Sequence, residues 1–246
     1  VSRDWSSDVC SSDLECPACG EPVRVEEKDL FCENDRCPGR RLEAMVHFAS
    51  RGAMDIDGLS YARVEQLVNA GLVHDVADLY ALTPAQVAEL DRFAEKSADA
   101  LVAAIAASKA QPLSRLLFGL GIRHVGQEAA AALARRFGTL EAITGPLDGD
   151  GPAADRDTVE SVHGIGPAIA DSVMAWVADQ DVRRMLARLK AHGLRLDEPA
   201  QARTSEAFAG KTVVITGTLP TLSRADAKLR VLAAGGRVIV RPAVKG

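Results

Sequence analysis

Apolar positions along most of this chain recur at helical spacing. Ala98, Leu101, Val102 and Ile105 fall on one face of a helix, and so do Ile169, Val173, Trp176 and Val177. Pro167 stands where a first helical turn accepts it, because the N–H it lacks has no intrahelical partner there. Residues 113–120 form a further helical stretch that Gly121 closes. Between helices the chain carries a repeated phrase: Gly58-Leu-Ser-Tyr-Ala-Arg-Val64, Arg92-Phe-Ala-Glu-Lys-Ser-Ala98, His124-Val-Gly-Gln-Glu-Ala-Ala130 and Gly164-Ile-Gly-Pro-Ala-Ile-Ala170. Each window has an apolar second position, a small third position (Ser60, Ala94, Gly126, Gly166) and a small or β-branched seventh position. The pattern predicts four units of helix, tight hairpin and helix.

Such a hairpin has a specific chemistry. Small residues let the backbone approach a ligand, and the following helix begins with unpaired N–H groups that suit a phosphate oxygen. Contacts of that kind are blind to base sequence. A single Gly-apolar-Gly phrase is a common turn, whereas four in register point to phosphate binding. The candidate contacts are Gly58 at the first hairpin, Lys96 at the second, Gly121, Arg123, His124 and Gly126 at the third, and Gly164 and Gly166 at the fourth. Arg123 and His124 can add side-chain contacts; the alternative for Arg123 is an ordinary ion pair on a solvated face.

Two segments rich in Pro, Gly, Asp and Ala break the helical pattern: 145–157, read as a loop within the helical domain, and 197–207, read as an interdomain linker. Beyond the second, residues 212–216 read as a buried strand, and Ser223 caps a helix reaching about Ala234 that Gly235 and Gly236 end. Residues 237–240 read as a second strand.

All five cysteines stand near the start. Four of them form the pairs Cys16-Pro-Ala-Cys19 and Cys32-Glu-Asn-Asp-Arg-Cys37, separated by strand-like pieces at 23–25 and 30–31. Two knuckles joined by a hairpin are what a tetrahedral zinc site requires, since each presents two thiolates from one turn. Gly20 and the pair Pro38-Gly39 are read as turn residues that reverse the chain around the ion. A pair of disulfides is the alternative, which a cytosolic chain disfavours. Four thiolates leave no open position for a catalytic metal, so the zinc reads as structural. Cys10 lies in a polar stretch without periodicity, and residues 1–14 look like a foreign leader.

Composition narrows the picture. The 246 residues are 47% apolar and 26% charged, which excludes wholesale disorder, and no apolar run is long enough to span a bilayer. Aromatics make up 4%, so the cores are built from Ala, Leu, Val and Ile, a mixture that suits many small helices. The net charge of −5 argues against a nucleic-acid partner until its distribution is considered. Residues 113–137 hold Arg115, Arg123, Arg135 and Arg136 against Glu128 alone, while 141–171 is strongly acidic.

The order of a four-cysteine finger, four helix-hairpin-helix units and then Lys211-Thr-Val-Val-Ile-Thr-Gly-Thr218 resembles the C-terminal half of the bacterial NAD-dependent DNA ligases. Arg51-Gly-Ala-Met-Asp-Ile-Asp-Gly-Leu59, Pro112-Leu-Ser-Arg-Leu-Leu-Phe118 and Leu120-Gly-Ile-Arg-His-Val-Gly126 are close to that family almost word for word. The resemblance runs from about Cys16 to about Val238. It implies a mainly α fold: a four-cysteine zinc finger at 15–41, a helix-hairpin-helix DNA-binding domain at 42–196, the linker at 197–207, and an incomplete α/β BRCT domain at 208–246. That last piece is expected to be marginal, because a partial parallel sheet leaves open edges. Its Thr216-Gly217 turn resembles one that can bind phosphate in other BRCT domains, and is read here as a plain strand-to-helix turn.

In that family AMP passes from NAD to a lysine, then to the 5′-phosphate of a nick, and leaves when the 3′-hydroxyl attacks. The resemblance implies that this part clasps nicked duplex DNA through the minor groove and phosphates, as a cytoplasmic monomer with structural zinc. NAD and Mg²⁺ would bind outside this chain. The adenylated lysine sits in a Lys-x-Asp-Gly motif, which this sequence lacks; Lys28-Asp29 and Lys96 do not fit it, and the oligonucleotide-binding barrel is missing too. The chain alone is therefore expected to be inactive. The rival reading is a free-standing helix-hairpin-helix and BRCT repair scaffold, which the coding sequence upstream of residue 15 would distinguish; a third is that the hairpins contact only protein. The family usually has Gly where Ser60, Arg92 and Ala94 stand. Ala and Ser adopt positive φ less readily than Gly, so the first two hairpins are expected to be distorted or to serve packing alone.

Overall fold

A computed structural model describes residues 14–26, 29–34, 37–91, 93–148, 151–199, 208, 211–215, 227, 230–231, 234 and 237–240. The chain divides into two compact units, with the boundary after Glu198. The first opens with an antiparallel hairpin, β1 (Val23–Glu26) and β2 (Asp29–Cys32), in which Val23 faces Cys32 and Arg24 faces Phe31. Helices follow: α1 (Pro38–Ala49), α2 (Tyr61–Asn69), α3 (Pro84–Ala88), α4 (Glu95–Ser108), α5 (Leu113–Gly119), α6 (Gln127–Phe137), α7 (Glu141–Thr144), α8 (Arg156–Glu160), α9 (Pro167–Ala178) and α10 (Gln180–Ala191). They pack in the pairs α1/α2, α3/α4, α5/α6 and α8/α9, which are the four units of the repeat. A single apolar cluster runs through all of them, from Phe48 and Leu67 to Leu117, Leu133 and Leu186.

The first two pairs make one tandem and the last two another. Helix α5 lies on the first tandem where Gly119 has no Cβ: an added Cβ would stand 3.1 Å from the Ala53 Cβ and 3.3 Å from the Phe48 ring. His47 seals the same joint, its Nε2 2.8 Å from the Phe118 carbonyl oxygen and its ring edge-on to the Phe118 ring at 4.6 Å.

A strap after α10 ties the helices at their far ends. The Arg195 N–H donates to the Lys109 oxygen at 2.9 Å, and the Leu113 N–H to the Asp197 oxygen at 3.2 Å. The Glu198 carboxylate takes the Ser114 N–H at 2.8 Å and the Ser114 hydroxyl at 3.1 Å, supplying the cap that Pro112 cannot give to α5. The linker expected at 197–207 thus loses its first two residues to the helical unit. The loop expected at 145–157 ends at Asp155, whose carboxylate caps α8 by accepting the Thr158 N–H at 2.7 Å.

Arg183 of α10 is 3% exposed, and its guanidinium donates to the carbonyl oxygens of Thr144 at 2.9 Å and Pro146 at 2.5 Å. It holds the entry of that loop from inside. Farther along α10, Arg188 forks onto Asp75 at 2.7 Å and onto Asp78. Burial pulls the Asp78 carboxyl upward, but the backbone N–H groups of His74 and Asp75, with Arg188, outweigh it and hold the pKa below the ordinary carboxylate value. A depressed carboxyl contributes its stability above the unfolded pKa and loses it as pH falls through the folded one.

In the second unit β3 (Thr212–Ile215) and β4 (Arg237–Val240) pair in parallel, Thr212 opposite Arg237. Ala227, Arg230 and Val231 between them are helical, and Val231 and Ala234 are buried. Ser223, Gly235, Gly236 and the Thr216-Gly217 turn lie outside the described residues, as does Cys10.

Gly145 has φ +71, and a Cβ there would stand 2.5 Å from the Gly151 carbonyl oxygen. Gly145→Ala is expected to lower stability by about 2–4 kcal/mol, adding a backbone clash to the left-handed penalty, whereas Gly71→Ala should cost about 1 kcal/mol. Gly71 has φ +69 and open space around it. Denaturant melts of the two variants check the difference.

Candidate metal centre and candidate nucleic-acid interface

The four cysteines Cys16, Cys19, Cys32 and Cys37 bring their sulfurs within 4.8 Å of one another. Cys16 and Cys37 lie 3.8 Å apart, and Cys19 and Cys32 3.5 Å apart. A tetrahedron with metal–sulfur bonds of ~2.3 Å has edges of ~3.8 Å, whereas a disulfide needs ~2.05 Å. The spacing therefore fits a metal ion, and four sulfur donors are compatible with zinc.

Local backbone builds each knuckle. The N–H groups of Cys19 and Gly20 both turn back to the Cys16 oxygen, at 3.3 and 2.8 Å, with Gly20 at φ +73. Cys37 caps α1 and donates its N–H to the Asn34 oxygen at 3.0 Å. Pro38 and Gly39, expected to form a turn, are instead the first turn of α1. Gly39 is needed for close approach, since a Cβ on it would stand 2.9 Å from the Ala18 Cβ. The backbone N–H of Ala18 holds the Cys16 thiol down at about 7, while loss of hydration pushes Cys32 up to about 12.

The hairpins share one geometry. The first window position is left-handed at Gly58 (φ +80), His124 (φ +64) and Gly164 (φ +88). Arg92, the equivalent residue of the second hairpin, lies outside the described residues. The second position is buried at Leu59, Val125 and Ile165, and the seventh at Val64, Ala98, Ala130 and Ala170. The third position caps the next helix with φ of −75 at Ser60, −102 at Ala94, −79 at Gly126 and −103 at Gly166. All four are extended backbone that any residue adopts. The distortion expected from Ser60 and Ala94 is absent, because the position that needs a left-handed residue is the first, not the third.

What Gly changes at the third position is access. Among the described residues, no atom beyond the adjoining residues lies within 4 Å of a Cβ built on Gly126 or Gly166, so the N-termini of α6 and α9 stand open there. At the first hairpin a Cβ on Gly58 would meet Arg63 at 3.1 Å, and Arg63 donates to the Gly58 oxygen at 2.7 Å while stacking on the Phe93 ring. Arg63 thus ties the first hairpin to the second, a role that its place in the window did not disclose. In the other tandem His124 Nδ1 and Ser172 Oγ of α9 lie 2.9 Å apart, joining the third hairpin to the fourth. Gly58, Lys96, Gly121, Arg123, His124, Gly126 and Gly164 are exposed and Gly166 is half-buried, so the structure brings the third and fourth groups together and leaves Gly58 and Lys96 on the first tandem.

Comparison with known proteins follows the same division. Residues 51–107 match the family described as the SAM-like helix-hairpin-helix tandem, and residues 115–186 match the helix-hairpin-helix motif family. A DNA ligase of Gemmatimonas aurantiaca is 52% identical over 238 residues, 96% of this chain and 33% of the relative. DNA ligases of Roseiflexus sp. and Frankia casuarinae are 43% and 46% identical, again over 96% of this chain. The chain is similar to one third of a DNA ligase. It spans about a third of the length of these curated relatives, a match consistent with a C-terminal fragment of such an enzyme. Among the described residues no helix is long and apolar enough to cross a membrane.

The cysteine geometry is expected to hold one metal ion per chain. A Cys32→Ser, Cys37→Ser double variant should lose it and unfold the finger while the helical circular-dichroism signal persists, because so few residues bury little core of their own. Elemental analysis with and without chelator checks this.

Proposed function

We propose that this chain is the DNA-holding part of an NAD-dependent DNA ligase, gripping nicked duplex through the minor groove and phosphates in replication and repair. The observation that carries the reading is the open pair of helix N-termini at Gly126 and Gly166, presented side by side by the His124 and Ser172 contact. Backbone N–H groups at such ends take phosphate oxygens without reading bases. Gly121, Arg123, His124 and Gly164 would surround the contacts, and Gly58 and Lys96 would extend them along the first tandem.

The four-cysteine site would hold a structural zinc ion, keeping α1 and the finger in one piece. NAD and Mg²⁺ would act on a part of the enzyme that carries the adenylation lysine, and the 208–246 piece would belong to a BRCT domain. In this reading the part acts as a cytoplasmic monomer. Similarity over 96% of the chain favours it over a free-standing repair scaffold.

Binding to nicked duplex should be insensitive to base sequence and weaken with salt. Gly166→Val fits the extended φ of −103, and its Cβ would meet no atom of the described residues beyond its chain neighbours, so the variant should fold yet weaken binding. Arg123→Ala should weaken binding and make the salt slope shallower by about one phosphate. Gel retardation across a salt series checks both, and unchanged affinity and slope in two folded variants would reject the hairpin assignment.

Incubation with NAD should leave the chain without a covalent AMP, since no Lys-x-Asp-Gly nucleophile is present. A labelled adenylate adduct would overturn the division of labour.

A further inference from the structure

The turn between α2 and α3 carries two aspartates that divide their oxygens between two tasks. Asp78 Oδ2 accepts the N–H groups of His74 at 2.8 Å and Asp75 at 3.2 Å, and Asp75 Oδ1 accepts the Ala77 N–H at 2.8 Å and the Asp78 N–H at 3.3 Å. The remaining oxygens, Asp75 Oδ2 and Asp78 Oδ1, take the two arms of the Arg188 guanidinium. The backbone thus fixes both carboxylates independently of Arg188, and a planar fork matches two oxygens so held. Lysine, a single point charge, cannot reproduce that geometry.

The fork joins the two tandems. Asp75 and Asp78 precede the second hairpin, and Arg188 lies on α10 beyond the fourth. At the α1–α5 joint the tandems meet through apolar packing around Gly119 and through the polar contacts of His47 with Phe118 and of Arg115 with the Arg51 carbonyl oxygen and Asp55. The strap after α10 also reaches the first tandem, from Arg195 to Lys109, and the Arg188 fork adds a charged tie from within α10 itself that restrains rotation about the α1–α5 joint. Arg188 is 43% exposed, so the fork adds little to global stability in water while still selecting one arrangement. His192, one turn on, lies near the Tyr80 ring at 6.4 Å, so the end of α10 faces the first tandem beyond the fork as well.

We infer that Arg188 is a positioning residue that sets the angle between the two helix-hairpin-helix tandems, so that hairpins of both engage one continuous duplex. The inference rests on the DNA-holding function proposed above. Two binding modules on one duplex act as a bivalent pair, and the avidity disappears when their geometry no longer permits joint engagement.

The test uses the full chain with spin labels introduced as non-natural amino acids at the exposed positions Glu65 on α2 and Glu128 on α6. Arg188→Ala, Arg188→Lys and Asp75→Asn with Asp78→Asn are each compared with the parent by inter-label distance, thermal melting and affinity for nicked duplex. The expected result is a broadened distance distribution, a nearly unchanged melting temperature and about ten-fold weaker binding in all three variants, with a shallower salt slope. A distribution as narrow as the parent's overturns the inference. So does broadening with undiminished affinity, because the duplex would then be indifferent to the angle. A parent chain that binds no nicked duplex rejects the proposed function itself, and the inference falls with it.

Discussion

One hydrogen bond, repeated in every hairpin, sets the geometry on which the rest of the helical unit depends. The N–H at the second window position returns to the carbonyl three residues earlier: Leu59 to Ile56 at 3.3 Å, Phe93 to Leu90 at 3.2 Å, Val125 to Ile122 at 2.9 Å and Ile165 to Val162 at 2.9 Å. At the first, third and fourth hairpins both residues of the bond are buried, so the turn closes only when its apolar side chains enter the core. The tip is then left to the first and third positions, and the next helix must start at the surface, where its first N–H groups precede any i−4 carbonyl of the helix itself. Packing inside and ligand access outside are therefore consequences of one constraint.

The repeat was legible in the sequence because its determinants are local. Helical spacing, a small residue at the cap and a buried seventh residue all fall within one window. The cysteine site was legible for the same reason, through two short knuckles. What joins the units was not. Glu198 capping α5, Arg188 forking onto Asp75 and Asp78, and Arg183 reaching Thr144 and Pro146 are contacts between residues far apart in the chain. In sequence each looks like an ordinary charge on a helix face or loop. The positive-φ argument about Ser60 and Ala94 failed on a related ground: the sequence shows where Gly is replaced, but not whether its φ or its missing Cβ is what the fold uses.

The metal site and the helices are a single construction. Cys37 is both the fourth sulfur of the cluster and the cap of α1, and Gly39 two residues on lets the helix touch the first knuckle at Ala18. The strands between the knuckles expose Val25, Leu30 and Phe31 and bury few apolar side chains. With so little hydrophobic area removed from water, the bonds to a metal would have to supply most of the finger's cohesion.

Net acidity and the phosphate binding proposed above are reconciled by where the charges go. Within the acidic stretch Arg156 is held by Glu160 and Asp171, Asp155 caps α8, and Glu141 lies 3.9 Å from Lys190. The basic stretch is also partly consumed: Arg115 donates to the Arg51 carbonyl oxygen and to Gln111 and lies 3.8 Å from Asp55. Arg135 and Arg136 stand in the last turn of α6, where they offset its dipole rather than flank its open end. Counting arginines therefore overstates the side-chain charge available at the hairpins. The donors that remain at Gly126 and Gly166 are backbone N–H groups, which carry partial charge and do not enter a net-charge sum. In the proposed function an acidic chain built this way would take a polyanion through a grip that depends more on two missing Cβ atoms than on guanidinium groups.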